Sequence, residues 1–270
     1  MQLPVRWLFF LTASLILTPA HAAPKLAGED LQHMREELGI NEFTAPSIEI
    51  IISELDSLKP IPFEKVWRDL PASTPQDRAR LALCTGAVLA DGFLAVAGEK
   101  QSRIEPVGRV LLKLSKGLGV SDRVSKHSRS ILEKAARQQW SDIKEELVRT
   151  QADVEAAMLA LKDEEIAHLV ALGGWLRGLE ITAGIVLDDY SIERARRLIQ
   201  PELLDYFIDR VSTLNPNLKK TKLGQTLEKN LNEVKRIVTK PVDVPVEKDE
   251  VKQVRELAKE MNKLIANGDE

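Results

Sequence analysis

A glutamate and a histidine three residues apart, Glu165 and His168, form the pattern in this sequence that most suggests metal chemistry. On a helix, this spacing places both side chains on one face, where a carboxylate oxygen and an imidazole nitrogen can share a metal ion. Di-iron helical bundles use the same pair, but on two helices and with further glutamates on two others. No second Glu-x-x-His occurs in the chain. A metal-dependent enzyme using Glu165 and His168 is therefore an alternative hypothesis rather than the leading one.

Asp91, Arg177 and Glu180 are charged residues that lie well inside the two most apolar segments of the chain. Asp91 falls within residues 79–98, and Arg177 and Glu180 fall within residues 166–187. A charge on a buried helix needs a partner, so we expect an ion pair between Asp91 and Arg177 that joins the two segments. The same three residues could instead form the polar floor of a ligand pocket between helices. The sequence alone does not distinguish a structural pair from a pocket floor.

The sequence contains no other recognisable catalytic pattern. It has no His-Glu-x-x-His, no Gly-x-Ser-x-Gly, and no glycine-rich loop between a strand and a helix. The single cysteine, Cys84, lies in the apolar run 81–97 without a nearby cation, which is typical of a small buried side chain. No cofactor is indicated.

The elements that carry these residues are predicted to be helices. Apolar residues recur at spacings of three and four along nearly the whole chain. The sequence Ser73-Thr74-Pro75-Gln76 predicts the start of the first apolar helix, because it offers a capping hydroxyl and a proline in the first turn. Each apolar helix also carries a stripe of small residues at every fourth position, namely Ala82, Gly86 and Ala90 in one and Gly174, Gly178 and Thr182 in the other. Such stripes allow close helix packing, so we predict an all-α, multi-helix bundle built around these two central helices.

A change of composition divides the chain near Asn215-Pro216-Asn217. Residues 23–214 are predicted to form an all-α body, and residues 215–270 a C-terminal helical hairpin. The last helix carries a short heptad seam made of Val251, Val254, Ala258, Met261 and Ile265. About two heptads rarely hold alone, which favours a hairpin folded back on the body over a coiled-coil handle for a partner.

The N-terminus has the features of a secretory signal peptide. Arg6 supplies a positive charge, Trp7 to Leu17 is an apolar run too short for an ordinary membrane helix, and Ala20-His21-Ala22 fits a cleavage site. Residues 1–22 are thus expected to be removed before Ala23, giving a periplasmic or secreted protein. An uncleaved N-terminal anchor is the alternative.

Composition and charge limit the function classes. The chain is 44% apolar and 29% charged, with a net charge of -3, which favours a folded protein without a general affinity for nucleic acid. The leading hypothesis is a non-catalytic module that binds a partner protein or a small ligand. A second alternative is a membrane-active helical hairpin, although each charge within the apolar segments would cost at least ~2.5 kcal/mol in lipid. After cleavage, the chain is not expected to be an integral membrane protein.

Overall fold

The computed structural model describes residues 48–161, 164–241 and 244–268, and the predicted signal peptide therefore lies outside the described residues. The structure is 79% helical, and no strand occurs among these residues, which confirms the predicted all-α bundle. A 3-10 turn, Arg196–Leu198, follows the short helix that ends at Ala195. The α-helices are α1 (Ile48–Ser57), α2 (Phe63–Val66), α3 (Arg78–Ala97), α4 (Gln101–Leu118), α5 (Ser121–Ala136), α6 (Trp140–Leu161), α7 (Glu164–Asp188), α8 (Ile192–Ala195), α9 (Pro201–Ser212), α10 (Pro216–Lys219), α11 (Lys222–Val238) and α12 (Lys248–Asn267).

Local side-chain and backbone signals account for several helix ends. The side chain of Asp77 caps α3 by accepting a hydrogen bond from the backbone N–H of Arg80 at 2.7 Å. The helix start predicted at residues 73–76 is therefore wrong by a few residues. The backbone N–H of Arg80 is bonded by the Asp77 carboxylate rather than by the hydroxyl of Ser73 or Thr74. Gly119 ends α4 with φ of 82°, a left-handed conformation that suits glycine. Glu250 closes a capping box at the start of α12.

Helices α3 and α7 cross at two glycines. A Cβ atom added to Gly86 would lie 1.8 Å from the backbone oxygen of Val170, and one added to Gly173 would lie 2.0 Å from that of Leu83. Both distances are far below van der Waals contact, so only glycine permits this approach of one backbone to the other. Gly178, by contrast, has no atom within 4 Å of its added Cβ. The contact is therefore centred on Gly86 and Gly173, and Gly178 of the predicted stripe takes no part in it.

The other long helices surround this crossing. One hydrophobic cluster runs through α3, α4, α7, α9, α11 and α12 and includes the fully buried residues Leu83, Leu176 and Phe207. A smaller cluster connects α1 and α2 to the ends of α3 and α7, and another connects α5 and α6 to α3 and α4. Trp67 packs against all three clusters. The core is therefore continuous from one side of the bundle to the other.

The C-terminal helices α11 and α12 pack against each other and against the rest of the bundle. The heptad residues Val251, Val254, Ala258, Met261 and Ile265 are all buried. They belong to the same cluster as the central helices, and α12 lies directly on α7. Because the seam is buried within the fold, it is not accessible to a helix of a partner protein.

Two helical segments in the described chain, Arg78–Ala97 and Glu165–Asp188, are long and apolar enough to cross a membrane by length and composition alone. In each of them, 67% of the most apolar window is buried inside the fold. The core helices of water-soluble proteins have the same length and composition, so these two properties are a weak indication of a membrane span.

Candidate functional site

Asp91 and Arg177 form a fully buried ion pair between α3 and α7. Their side chains are 0% and 1% exposed, and Arg177 Nε donates to Asp91 Oδ1 at 2.6 Å. Arg68, on the segment between α2 and α3, donates through Nε and Nη2 to the other oxygen, Asp91 Oδ2, at 3.0 and 2.9 Å. One carboxylate thus receives three hydrogen bonds from two guanidinium groups. The predicted ion pair is confirmed, and Arg68 is a second partner that the sequence did not indicate.

The remaining donors of Arg177 extend the network to α12. Its Nη2 donates to the backbone oxygen of Val66 at 2.6 Å, and its Nη1 lies 3.0 Å from Glu180 Oε2. Asn262 of α12 donates to the same glutamate oxygen at 2.9 Å and to the backbone oxygen of Leu176 at 3.1 Å. These contacts connect α2, α3, α7 and α12 through polar groups.

The charges in this network balance, with Arg68 and Arg177 against Asp91 and Glu180. Burial opposes the charge of Arg177, but the attraction of Asp91 and Glu180 outweighs it and raises the pKa of the guanidinium. A buried charge is tolerated when such partners replace water. The structure thus brings the three predicted ligand-binding residues together, with hydrogen bonds directed at one another. This favours the structural role over the pocket floor.

A second polar cluster joins α5 to α6. His127 Nδ1 lies 2.8 Å from Glu146 Oε1, Ser130 Oγ donates to Glu146 Oε2 at 2.9 Å, and Lys134 pairs with the same oxygen. Hydrogen bonds from His127 and Lys134 lower the pKa of Glu146 to about 2. A serine nucleophile needs its hydroxyl on a base such as imidazole. Here the Ser130 hydroxyl is directed at a carboxylate that is already ion-paired, which favours a structural role for the cluster.

Glu165 and His168 line a cavity of about 230 Å³ between the start of α7 and the end of α9. His168 is 7% exposed, and its Nδ1 shares a hydrogen bond with the Tyr206 hydroxyl. Arg210 lies with its guanidinium carbon 5.7 Å from the centre of the Tyr206 ring. The full lining consists of Glu165, His168, Leu169, Leu172, Arg210, Val211, Thr213 and Leu214. Four polar and four aliphatic side chains therefore face one space.

Aromatic rings pack beside His168, one of the lining residues of this cavity. The Tyr206 ring lies 5.8 Å from His168 and 5.3 Å from Phe207 in edge-to-face geometry, and Phe207 lies 5.2 Å from Trp175. The Trp175 indole N–H donates to Gln200 Oε1 at 2.9 Å. Such pairs prefer specific ring orientations, so they hold the imidazole of His168 in place.

Glu165 and His168, the predicted metal pair, both line this cavity. Within the described part of the chain, no group of three or more His, Cys, Asp or Glu side chains is arranged to hold a metal ion. Protein sites for zinc or iron normally supply three or four such ligands. Glu165 and His168 by themselves do not make a metal centre of this kind.

Cys84 is 1% exposed, and burial raises the pKa of its thiol to about 11. A thiol in this state is protonated at neutral pH and is a poor nucleophile. This agrees with its interpretation as a small buried side chain.

Arg210 and Thr213 are cavity residues that sequence reasoning missed, and Tyr206 is a partner of His168 that it also missed. They lie on α9 or just after it, close to forty residues from Glu165 and His168 in the chain, and each is an ordinary residue for an amphipathic helix. Comparison of the chain with known protein families, with curated proteins and with solved structures finds no match.

Proposed function

We propose that this chain is a non-catalytic helical binding protein for a small zwitterionic molecule with an apolar part, of the α-amino-acid class. The cavity between α7 and α9 supports this proposal, because it combines a carboxylate, a guanidinium, an imidazole and a hydroxyl with four aliphatic side chains. Binding sites for small molecules typically have such an apolar lining with a few polar groups that orient the ligand.

The size of the cavity favours a small ligand. Its volume of about 230 Å³ is below the roughly 300–1,000 Å³ of pockets for drug-sized molecules. A short metabolite fits such a space better than a nucleotide, a sugar chain or a peptide does.

The charges on the lining favour a zwitterion. The Arg210 guanidinium, whose Nη2 donates to Asp209 Oδ2 at 3.0 Å, can also bind a ligand carboxylate through charge-assisted hydrogen bonds, and the Glu165 carboxylate can bind an ammonium group. Thr213 donates its hydroxyl to the backbone oxygen of Arg210 at 2.9 Å, which joins it to the same end of the site. Leu169 and Leu172 offer aliphatic surface for the apolar part of the ligand.

Binding without catalysis is supported by the state of the reactive groups elsewhere in the described chain. Asp91, Arg177 and Glu180 bond to one another, and Glu146 is held by His127 and Lys134. The Cys84 thiol is buried with a pKa of about 11. None of these groups is arranged to attack or to protonate a substrate.

The test is thermal unfolding of the protein with L-leucine and with two analogues that each lack one charge, 4-methylpentanoate and 3-methylbutylamine. A ligand at a hundred times its Kd stabilises the folded state by about 2.7 kcal/mol. For a protein of this size class, that raises Tm by roughly 5–10 °C. We expect L-leucine to raise Tm and each analogue to do so less at the same concentration.

Arg210→Ala is the variant that tests the site, because it removes the guanidinium proposed to bind the carboxylate of the ligand. The Arg210 side chain is partly exposed. Loss of such hydrogen bonds costs about 1.5–3 kcal/mol, or roughly 10- to 100-fold in affinity. Arg149→Ala is the control, since it removes the same charge from an exposed position on α6. The proposal fails if no amino acid in a panel changes Tm, or if both variants respond to L-leucine alike.

The cellular setting that goes with this function is the periplasm or the exterior of the cell. This part of the proposal is supported by the sequence of residues 1–22, with its positive start, short apolar run and small-residue cleavage site.

A further inference from the structure

The basic residues of this chain are concentrated in one helical hairpin. Residues 100–137, which contain α4 and α5, carry ten Lys or Arg and three Asp or Glu, a net charge of +7. Because the whole chain carries -3, all the rest of it carries -10. A charge difference of this size between one hairpin and the remainder of a chain makes the electrostatic potential around that hairpin positive.

The basic side chains form narrow stripes on the outer faces of the two helices. On α4, Arg109, Lys113 and Lys116 follow one another at spacings of four and three residues, and all are exposed. On α5, Arg129 and the residue after the helix, Arg137, are exposed eight residues apart. Spacings of three, four, seven and eight residues place side chains on the same side of a helix. The two helices pack against each other, so both stripes belong to one hairpin.

Four of these cations have no acidic partner within the described part of the chain: Lys113, Lys116, Arg129 and Arg137 form no ion pair there. Elsewhere on the hairpin, Arg109 pairs with Glu105, and Lys134 pairs with Glu146. These four side chains are therefore not held in an ion pair that an anionic surface would have to break, although the exposed Glu133 lies four residues from both Arg129 and Arg137.

We propose that the surface of the α4–α5 hairpin docks on an anionic lipid membrane, independently of the ligand cavity. The positive hairpin is complementary to a negatively charged lipid surface, and such a surface attracts clustered Lys and Arg. Leu132 of α5 is 37% exposed among these charges and offers an apolar contact at the lipid interface. The hairpin contains no aromatic residue between Phe93 and Trp140 on which unpaired bases could stack, which disfavours single-stranded nucleic acid.

The test is cosedimentation of the purified protein with vesicles of phosphatidylcholine that contain phosphatidylglycerol, against vesicles of phosphatidylcholine alone. We expect binding to the anionic vesicles only, and loss of binding as added salt shortens the Debye length from about 30 Å at 0.01 M to about 8 Å at 0.15 M. Each Lys or Arg near such a surface contributes about fivefold in affinity. The variant K113Q/K116Q/R129Q/R137Q should therefore bind roughly 600-fold more weakly.

The matched control is K220Q/K222Q/K229Q/K252Q, which removes four exposed lysines outside the hairpin. We expect it to bind anionic vesicles like the unaltered chain, with circular dichroism showing that both variants are folded. Equal loss in both variants would overturn the proposal, because it would indicate an effect of net charge alone. Absence of vesicle binding by the unaltered chain, or tighter binding to a DNA duplex at the same salt, would also overturn it.

Discussion

Replacing Gly86 by alanine tests the crossing of α3 and α7. The added Cβ would lie 1.8 Å from the backbone oxygen of Val170 and 2.6 Å from the backbone nitrogen of Gly174, whereas ordinary contact begins near 3.4 Å. Neither atom can move without its helix, so the two backbones must separate. Overpacking of a core costs about 1–3 kcal/mol, and we expect the upper end here.

The net effect includes the preference of alanine for helices. Alanine is favoured over glycine by about 1 kcal/mol in a helix, which leaves a net loss of ~2 kcal/mol for Gly86→Ala. This corresponds to a decrease in Tm of roughly 4–8 °C for a protein of this size class. The matched control is Gly178→Ala on α7, where no atom lies within 4 Å of the added Cβ. Without a clash, this variant should gain about 1 kcal/mol and melt roughly 2–4 °C higher.

Thermal unfolding followed by far-ultraviolet circular dichroism measures both variants. Because the two backbones are in contact at Gly86 and not at Gly178, we expect Gly86→Ala to lower Tm and Gly178→Ala to raise it. If Gly86→Ala proved as stable as Gly178→Ala, the close approach of the two backbones would be refuted.

Three further predictions concern single groups. The buried Cys84 thiol, with its pKa of about 11, should react with iodoacetamide only when the protein unfolds, as mass spectrometry before and after denaturation will show; rapid labelling of the folded protein would contradict its burial. Because hydrogen bonds from His127 and Lys134 lower the pKa of Glu146 from 4.5 to about 2, its contribution to stability is present above pH 4.5 and is lost as the pH falls towards 2. Glu146→Gln should therefore lower Tm at pH 7 and have little effect near pH 2, and an equal effect at both values would be inconsistent with this shift. When the full chain is expressed in a secreting host, N-terminal sequencing should find Ala23 first, and a mature protein that begins at Met1 would contradict the predicted signal peptide.

Much of the helical architecture follows from local sequence. The spacing of apolar residues at three and four positions predicts helices where α3 to α7 occur, because that spacing places them on one face. Asp91 and Arg177 could be paired from sequence for a different reason. A charged side chain on a buried apolar helix is removed from water, so it is tolerated only beside a group of opposite charge. The prediction needed only two such helices with charges of opposite sign near their centres, Asp91 in one and Arg177 in the other.

The other members of the site depend on tertiary structure. Arg68 lies just after the short helix α2, and nothing in its neighbours indicates that it reaches Asp91. Asn262 lies on α12 beside the heptad seam, where an asparagine is unremarkable until Glu180 is found opposite it. The cavity depends on α9 lying across the start of α7, and no spacing in the sequence encodes the distance between Tyr206 and His168.

The sequence alone also could not predict the exact start of α3. Residues 73–76 and Asp77 are both good capping signals within a few positions, and the choice between them depends on the packing of the following residues. The small-residue stripes show the same limit, since Gly86 makes a backbone contact whereas Gly178 faces open space. Residue type indicates which positions could be close, and packing decides which ones are.

The buried pair of Asp91 and Arg177 joins the two core helices, and a double-mutant cycle measures the interaction energy of that pair. The free energy of unfolding is measured by urea denaturation for the unaltered chain, for Asp91→Asn, for Arg177→Met and for the double variant. Removing one partner of a buried pair costs about 3–5 kcal/mol, and the double variant should lose less than the sum of the single losses by about 1–3 kcal/mol. Losses that add to within about 0.5 kcal/mol would show that the two side chains do not interact, and would contradict the account.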